Sequence, residues 1–524
     1  MNRIFLLAIG IVLALSVTAH AFELSPDKSA RVIRDDFDAG LIDSETQLVY
    51  RAWAFFDPIS LPQKYRREGN AGDRFACATS ILLEMHKALP NLSGWAKEEI
   101  ERLLAKTPAR KVRRNEAPLV AADERIDYPD AVLLPNVEYT EHFAIRWGND
   151  FTFNPGDLER LVEIVENVWD VEVNQMAYTK PWNSDAYYTD VYVGNSGEGA
   201  PDIDFQGAYT TLYHNNMADP DNMSYMVFWD EIFHHESSTQ DIFSHEFFHV
   251  CQFQIALAGC YGHMVCDNCT WAVEGTAVWA EDEVYDDVNN YMQYVWYYMF
   301  EPEITLFSGN GYDPYARVIF FKYISENWGG RDAIHTIWNE CHTDIVFSVQ
   351  GFMSDQGLTL EEAFKEFAVK NLFSDYEEGA SYSTPRIFRR FSNYPQDERY
   401  ESGSLPEVFG SHYLLFKPGA DADDRLNIRI EGQEEFWDNT VDWDVTFIKM
   451  RSDQTWEIEE MSDGEKGADG EITFTGFGQE WVKIYAIVNP LTDERYSSSP
   501  GLTYKLKATR GDDPFPIDDD DDDD

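Results

Sequence analysis

Two histidines four residues apart, His245 and His249, constrain this chain more than any other feature of its sequence. They enclose a glutamate in Ser244-His245-Glu246-Phe247-Phe248-His249, the pattern H-E-x-x-H. On a helix, positions i and i+4 share one face, one turn apart, so both imidazoles can grip one metal ion from the same side. The flanking residues predict such a helix. Ser238 or Thr239 is the expected cap, with Asp241 as its capping-box acid, and Gly259 is the expected stop. Ile242, Phe243, Phe247, Val250, Phe253 and Leu257 supply its apolar contacts. Two neutral imidazoles and one carboxylate suit zinc, Zn2+, with a fourth position left for water. Zinc brings the pKa of that water towards ~7, where Glu246 can serve as general base.

The pattern alone arises by chance in roughly one or two chains of this length per hundred. A second block therefore matters: Trp271-Ala272-Val273-Glu274-Gly275-Thr276-Ala277. This W-x-x-E-G-x-A resembles the third-ligand helix of the gluzincins, zinc peptidases that use two histidines and a distal glutamate. The aminopeptidase branch carries a very similar block, but its substrate-amine motif G-x-M-E-N does not occur here, which argues against exopeptidase activity. The connection to Glu274 is also longer than in that branch and holds Cys260, Cys266 and Cys269. With Gln252 as the Q of H-E-x-x-H-x-x-Q, followed by E-G-x-A, the chain is similar to hyicolysin-like secreted bacterial metalloproteases.

That resemblance implies a zincin-like (thermolysin-like) catalytic domain whose metal ligands are His245, His249 and Glu274. It also implies a tyrosine of the second lobe at the oxyanion, Tyr315 first and Tyr312 second. Peptide would add as an antiparallel strand to an exposed sheet edge. The stretch from Gly207 to Tyr213, with Gly207 and Tyr209, is the expected edge, and Met226-Val227-Phe228-Trp229 the inner strand. Glu281 lies on the face of Glu274, seven residues on, and is expected to accept from the other nitrogen of a ligand histidine; a plain surface carboxylate is the alternative. His234 and His235, just upstream, are either supports of the site or solvated loop residues.

Residues 1–21 read as a secretory signal, with Arg3, an apolar run from Ile4 to Val17 and Ala19-His20-Ala21 as cleavage site. No later run is apolar enough to span a bilayer, so an exported chain is expected. Residues 22–114 read as a helical N-terminal region ending in a basic island from Lys106 to Arg114. The island is either a processing site that makes the region a propeptide or a plain linker. Residues 135–380 hold the expected catalytic domain, 386–510 a β-sandwich of short alternating runs, and 511–524 an acidic tail with seven terminal aspartates. The fold class expected is α+β.

The net charge of −53 rules out a phosphate-binding surface and hence nucleic acid as partner. Six cysteines in an exported chain suggest disulfides. Cys77 is expected in one of them, a switch onto the metal being the alternative. A second metal site at Cys260, Cys266 and Cys269 with His263 is the rival to bridges there. The expected function is a secreted zinc-dependent endopeptidase acting on protein or peptide. The alternatives are an aminopeptidase or other zinc hydrolase, and a secreted binding or adhesion protein with a vestigial zinc site.

Overall fold

The computed structural model describes residues 25–67, 76–105, 125–214, 221–258, 269–341, 344–420, 423–436, 439–461, 469–492, 500–512 and 515. The signal-like segment, the basic island, Cys260, His263, Cys266 and the terminal aspartates lie outside them. The described residues form a mixed α+β structure. The chain divides into two compact units, one from Met1–Tyr291 and Asn310–Ser348, the other from Met292–Gly309 and Val349–Asp524.

The first unit begins with helices α1 (Pro26–Asp38) and α2 (Ser44–Phe56). The two-residue strand β1 (Ala76–Cys77) follows, then α3 (Thr79–Ala88) and α4 (Gly94–Leu104). Strands β2 (Asn136–Tyr139) and β3 (Phe143–Trp147) lead into α5 (Asp157–Trp169), which runs on as a π-helical turn through Gln175. Strands β4 (Thr189–Val193), β5 (Gly207–Leu212) and β6 (Ser224–Phe228) complete a six-stranded sheet of order β1-β5-β6-β4-β3-β2. β3, β4 and β6 run parallel to one another, β5 is antiparallel to β6, and β1 is parallel to β5.

Side chains alternate across a strand, so the two faces of the sheet carry different residue sets. Tyr192, Tyr209, Tyr225 and Val227 face the N-terminal helices and pack with Leu48, Val49, Phe55, Phe56, Ile81, Leu82 and Ile100. Phe143 and Phe228 face the other way, against Phe243 at 5.5 and 5.4 Å between ring centroids. Burying each such side chain contributes roughly 1.5–3 kcal/mol, so the N-terminal helices are core of this unit rather than a loose appendage.

Helix α6 (Glu236–Ala258) carries H-E-x-x-H, and α7 (Thr270–Val284) carries Glu274. α6 starts before the expected caps: Thr239 lies inside it, its hydroxyl donating to the carbonyls of Ile232 and His235. A 3-10 turn at Asp230–His234 feeds the helix directly, which leaves no break for a capping box at Ser238.

The strand expected to be the exposed edge, β5, is not one. Its outer side is paired by β1, with Ala76 opposite Gly207 and Cys77 opposite Ala208. Tyr209 is fully buried among the N-terminal helices. β6, the expected inner strand, lies between β5 and β4.

In the second unit two sheets, β15-β10-β17-β8 and β14-β13-β16-β9-β7, face one another. The first joins β8 (Gln396–Tyr400), β10 (Leu426–Gly432), β15 (Asp469–Phe474) and β17 (Tyr504–Arg510). The second joins β7 (Ile387–Phe391), β9 (His412–Phe416), β13 (Asp442–Met450), β14 (Trp456–Glu460) and β16 (Lys483–Leu491). Phe447 meets Phe474 at 5.0 Å and Phe388 meets Tyr400 at 5.4 Å across the interface. A small hairpin, β11 (Glu435–Phe436) with β12 (Asn439–Thr440), lies outside both sheets. No described helix is long and apolar enough to cross a membrane.

Candidate metal centre

The helical spacing brings His245 and His249 together as expected, with their Nε2 atoms 3.1 Å apart. Glu274 reaches them from α7: its Oε2 stands 3.1 Å from His245 Nε2 and 3.5 Å from His249 Nε2. At Gly275, α7 packs against Arg317 and the helix Val318–Asn327. A Cβ there would stand 3.0 Å from Phe321 and 3.2 Å from Arg317, and Phe321 is itself stacked on Trp271. The glycine after the glutamate thus seats α7 against that helix rather than against the histidines.

A fourth donor comes from far away in sequence. Cys77 Sγ lies 3.4 Å from His249 Nε2, 172 residues along the chain. Cys77, His245, His249 and Glu274 each offer one ligand atom, all within 4.8 Å of one another, and all four residues are buried. The disulfide expected of Cys77 is not formed: Cys77 is a free thiol, as are Cys251 and Cys341. Any bridge between Cys269 and Cys260 or Cys266 lies outside the described residues. Sequence offers no local signal for the fourth donor, because β1 is two residues long and the pairing with β5 that delivers it is wholly non-local.

The polar groups behind the ligands define the protonation pattern. Glu281 Oε1 accepts from His245 Nδ1 at 2.8 Å, as anticipated from its place on α7. Gln252 Oε1 accepts from His249 Nδ1 at 2.7 Å, and the Gln252 amide donates to Val273 O and Thr276 Oγ1, which fixes its orientation. With both Nδ1 atoms donating, the neutral rings turn two Nε2 lone pairs, a carboxylate and a sulfur onto one point. Four electron-rich atoms at such distances form a group that could hold a cation. A proton is the minimum: although burial opposes it, Glu274 and Glu281 hold the His245 pKa up to about 10. Burial likewise opposes charge on Glu274, but the two imidazoles pull its pKa well below the ordinary carboxylate value. Burial, aided by Glu246 and Glu274, pushes the Cys77 thiol up. A metal ion fits better than a proton, since ligands ~2.1 Å from one ion in a tetrahedron stand roughly 3.4 Å apart.

Glu246 is buried beside this group and is not one of the four donors. Its Oε2 accepts from Thr79 Oγ1 at 3.0 Å and Thr210 Oγ1 at 2.8 Å. Its Oε1 has no hydrogen-bond partner among the described residues. Such an atom, buried next to the four donors, is open to a further hydrogen bond. Ser80 Oγ hydrogen-bonds the second oxygen of Glu274.

Tyr315 is buried with its ring 6.0 Å from that of His245, and its hydroxyl donates to the backbone carbonyl of Cys77 at 3.3 Å. The hydroxyl of Tyr312 pairs with Ser25 at 3.1 Å. His234 bonds Asp157 and Asn154, and His235 is exposed; neither joins the metal group. Gly207 lies on β5 as expected, against Ala76 rather than open to solvent. Thr79, Ser80 and Thr210 were not anticipated, since a hydroxyl that serves a carboxylate from another element leaves no pattern in sequence.

No curated protein matches this chain. Residues 132–495, well over half of its length and including the whole H-E-x-x-H helix and Glu274, match DUF6055, a family of unknown function, and the chain belongs to that family.

Proposed function

We propose that this protein is a gluzincin-type, zinc-dependent endopeptidase, exported by its signal-like N-terminus and built on a zincin-like catalytic domain. The observation that carries the reading is the convergence of His245 Nε2, His249 Nε2 and Glu274 Oε2 beside a buried glutamate whose Oε1 has no partner among the described residues. Zinc suits this set of imidazole, carboxylate and sulfur donors, and when bound it would supply Lewis acidity towards a carbonyl oxygen and a water.

The chain's own residues supply the rest. Glu281 and Gln252 hold the two imidazoles in the ligating tautomer. Glu246 takes a proton at Oε1 from the attacking water and returns it to the leaving amine. Thr210 keeps its other oxygen fixed. Tyr315, whose hydroxyl already donates to a backbone carbonyl at the site, does the same for the carbonyl that is attacked.

The test combines metal analysis with hydrolysis of an internal peptide blocked at its amino end, by the full-length chain and after trypsin cleavage within residues 106–114. One zinc per chain and cutting of the blocked peptide are expected; trimming of free amino ends alone would make it an aminopeptidase. Glu246→Gln should keep the zinc and lose about 100-fold to 10,000-fold in rate. Retained hydrolysis in that variant, or a chain that binds no zinc, refutes the reading.

A further inference from the structure

We infer that residues Ala76–Ser80 lie in the substrate cleft of this enzyme as a built-in occupant that holds it latent, with the Cys77 sulfur in the position that catalysis needs open. This rests on the endopeptidase reading and names both its regulation and its substrate class, an extended polypeptide. A catalytic zinc site leaves one position free, whereas four protein donors close it; here the fourth donor is Cys77.

His249, Glu246, Glu274 and Tyr315 are each engaged by this one segment. Ala76 N–H donates to Gln206 O at 2.9 Å and Ala78 N–H to Ala208 O at 3.1 Å, so the segment pairs with β5 as a peptide strand would. A Cβ on Gly207 would stand 1.8 Å from Ala76 O, so the approach is possible only at glycine. Thr79 Oγ1 accepts from Thr210 N–H at 2.8 Å and donates to Glu246. Ser80 holds Glu274. Tyr315 donates to the Cys77 carbonyl, as it would to a scissile one. The segment also runs parallel to β5, opposite to the antiparallel course expected of a substrate, so it is held without being cut. Release is a ligand exchange without redox: the Cys77 sulfur withdraws and takes up a proton, and water enters the place it held.

The full-length chain loaded with cobalt(II) tests this. Cobalt uptake comes first: a chain that binds none at this site removes the endopeptidase reading itself. With cobalt bound, a thiolate-to-cobalt charge-transfer band is expected, absent in Cys77→Ser, and its absence from the wild type overturns the inference alone. The zinc form of Cys77→Ser is expected to cut the blocked peptide at least about 10-fold faster than the wild type, because the open state is no longer a minor population. A variant that instead loses metal and stays inactive makes Cys77 a structural ligand and overturns latency. Ala76→Pro removes the bond to Gln206 O without touching the thiol. It should weaken the band and raise hydrolysis together, and an unchanged band and rate overturn the inference even if Cys77→Ser fails to fold.

Discussion

At the scale of single residues, the two candidate ligand histidines depend on the groups that hold their far nitrogens. Glu281 carries a buried, charge-assisted bond to His245 at 2.8 Å. Glu281→Gln keeps the shape but leaves the ring free to flip its tautomer, so zinc affinity should fall about 10-fold to 100-fold, read by competition with a chelator; an unchanged affinity would remove Glu281 from the site. Much of this was legible in sequence. His245, Glu246 and His249 follow from a four-residue spacing, and Glu274 with Glu281 from a seven-residue one, because helix geometry turns such spacings into shared faces. Cys77 was not legible. An even number of cysteines in an exported chain points to bridges, and nothing near residue 77 says that its partner in space is His249.

At the scale of elements, the strands were readable from alternation but their neighbours were not. β5 reads as a strand in sequence, yet its edge is closed by two residues, too few to leave a pattern. Helix starts shifted for a related reason: the 3-10 turn before α6 makes the caps expected at Ser238 and Thr239 unnecessary. The facing sheets of the second unit show how an element contact sets pH dependence. His412 on β9 stacks on Phe388 at 3.8 Å. It donates from Nε2 to Ser404 O at 2.8 Å and accepts at Nδ1 from Tyr504 of β17 at 3.0 Å. This neutral form is complete, and burial pushes the pKa of the imidazole down to about 3. Because the folded value lies below the unfolded one of 6.5, the unfolded chain takes the proton first. The stability is intact above the unfolded value and is lost as pH falls towards the folded one, by at most ~1.4 kcal/mol per pH unit from this group. Urea unfolding of the second unit should show this slope in the wild type and a flatter one in His412→Gln; equal slopes would show that the histidine is not responsible.

At the scale of the whole molecule, the helix Met292–Phe300 and the residues that follow it to Gly309 belong with the strands of the second unit although they interrupt the first. Ser411 N–H donates to Pro302 O at 2.7 Å, Leu306 N–H to Phe409 O at 2.9 Å, and Arg386 pairs with Glu303. A chain stopped after residue 385 would leave these groups and the buried Leu306 and Phe307 without cover. Such a truncation should be recovered as aggregate where the full chain elutes as a discrete species in size-exclusion chromatography; a monodisperse, zinc-loaded product would contradict the unit assignment.

The loop through the second unit has an evolutionary corollary. A gene fusion or deletion moves contiguous exons or codons, whereas here the chain leaves the first unit at Met292 and returns to it at Asn310. Neither unit can then be lent whole to another protein by a single crossover.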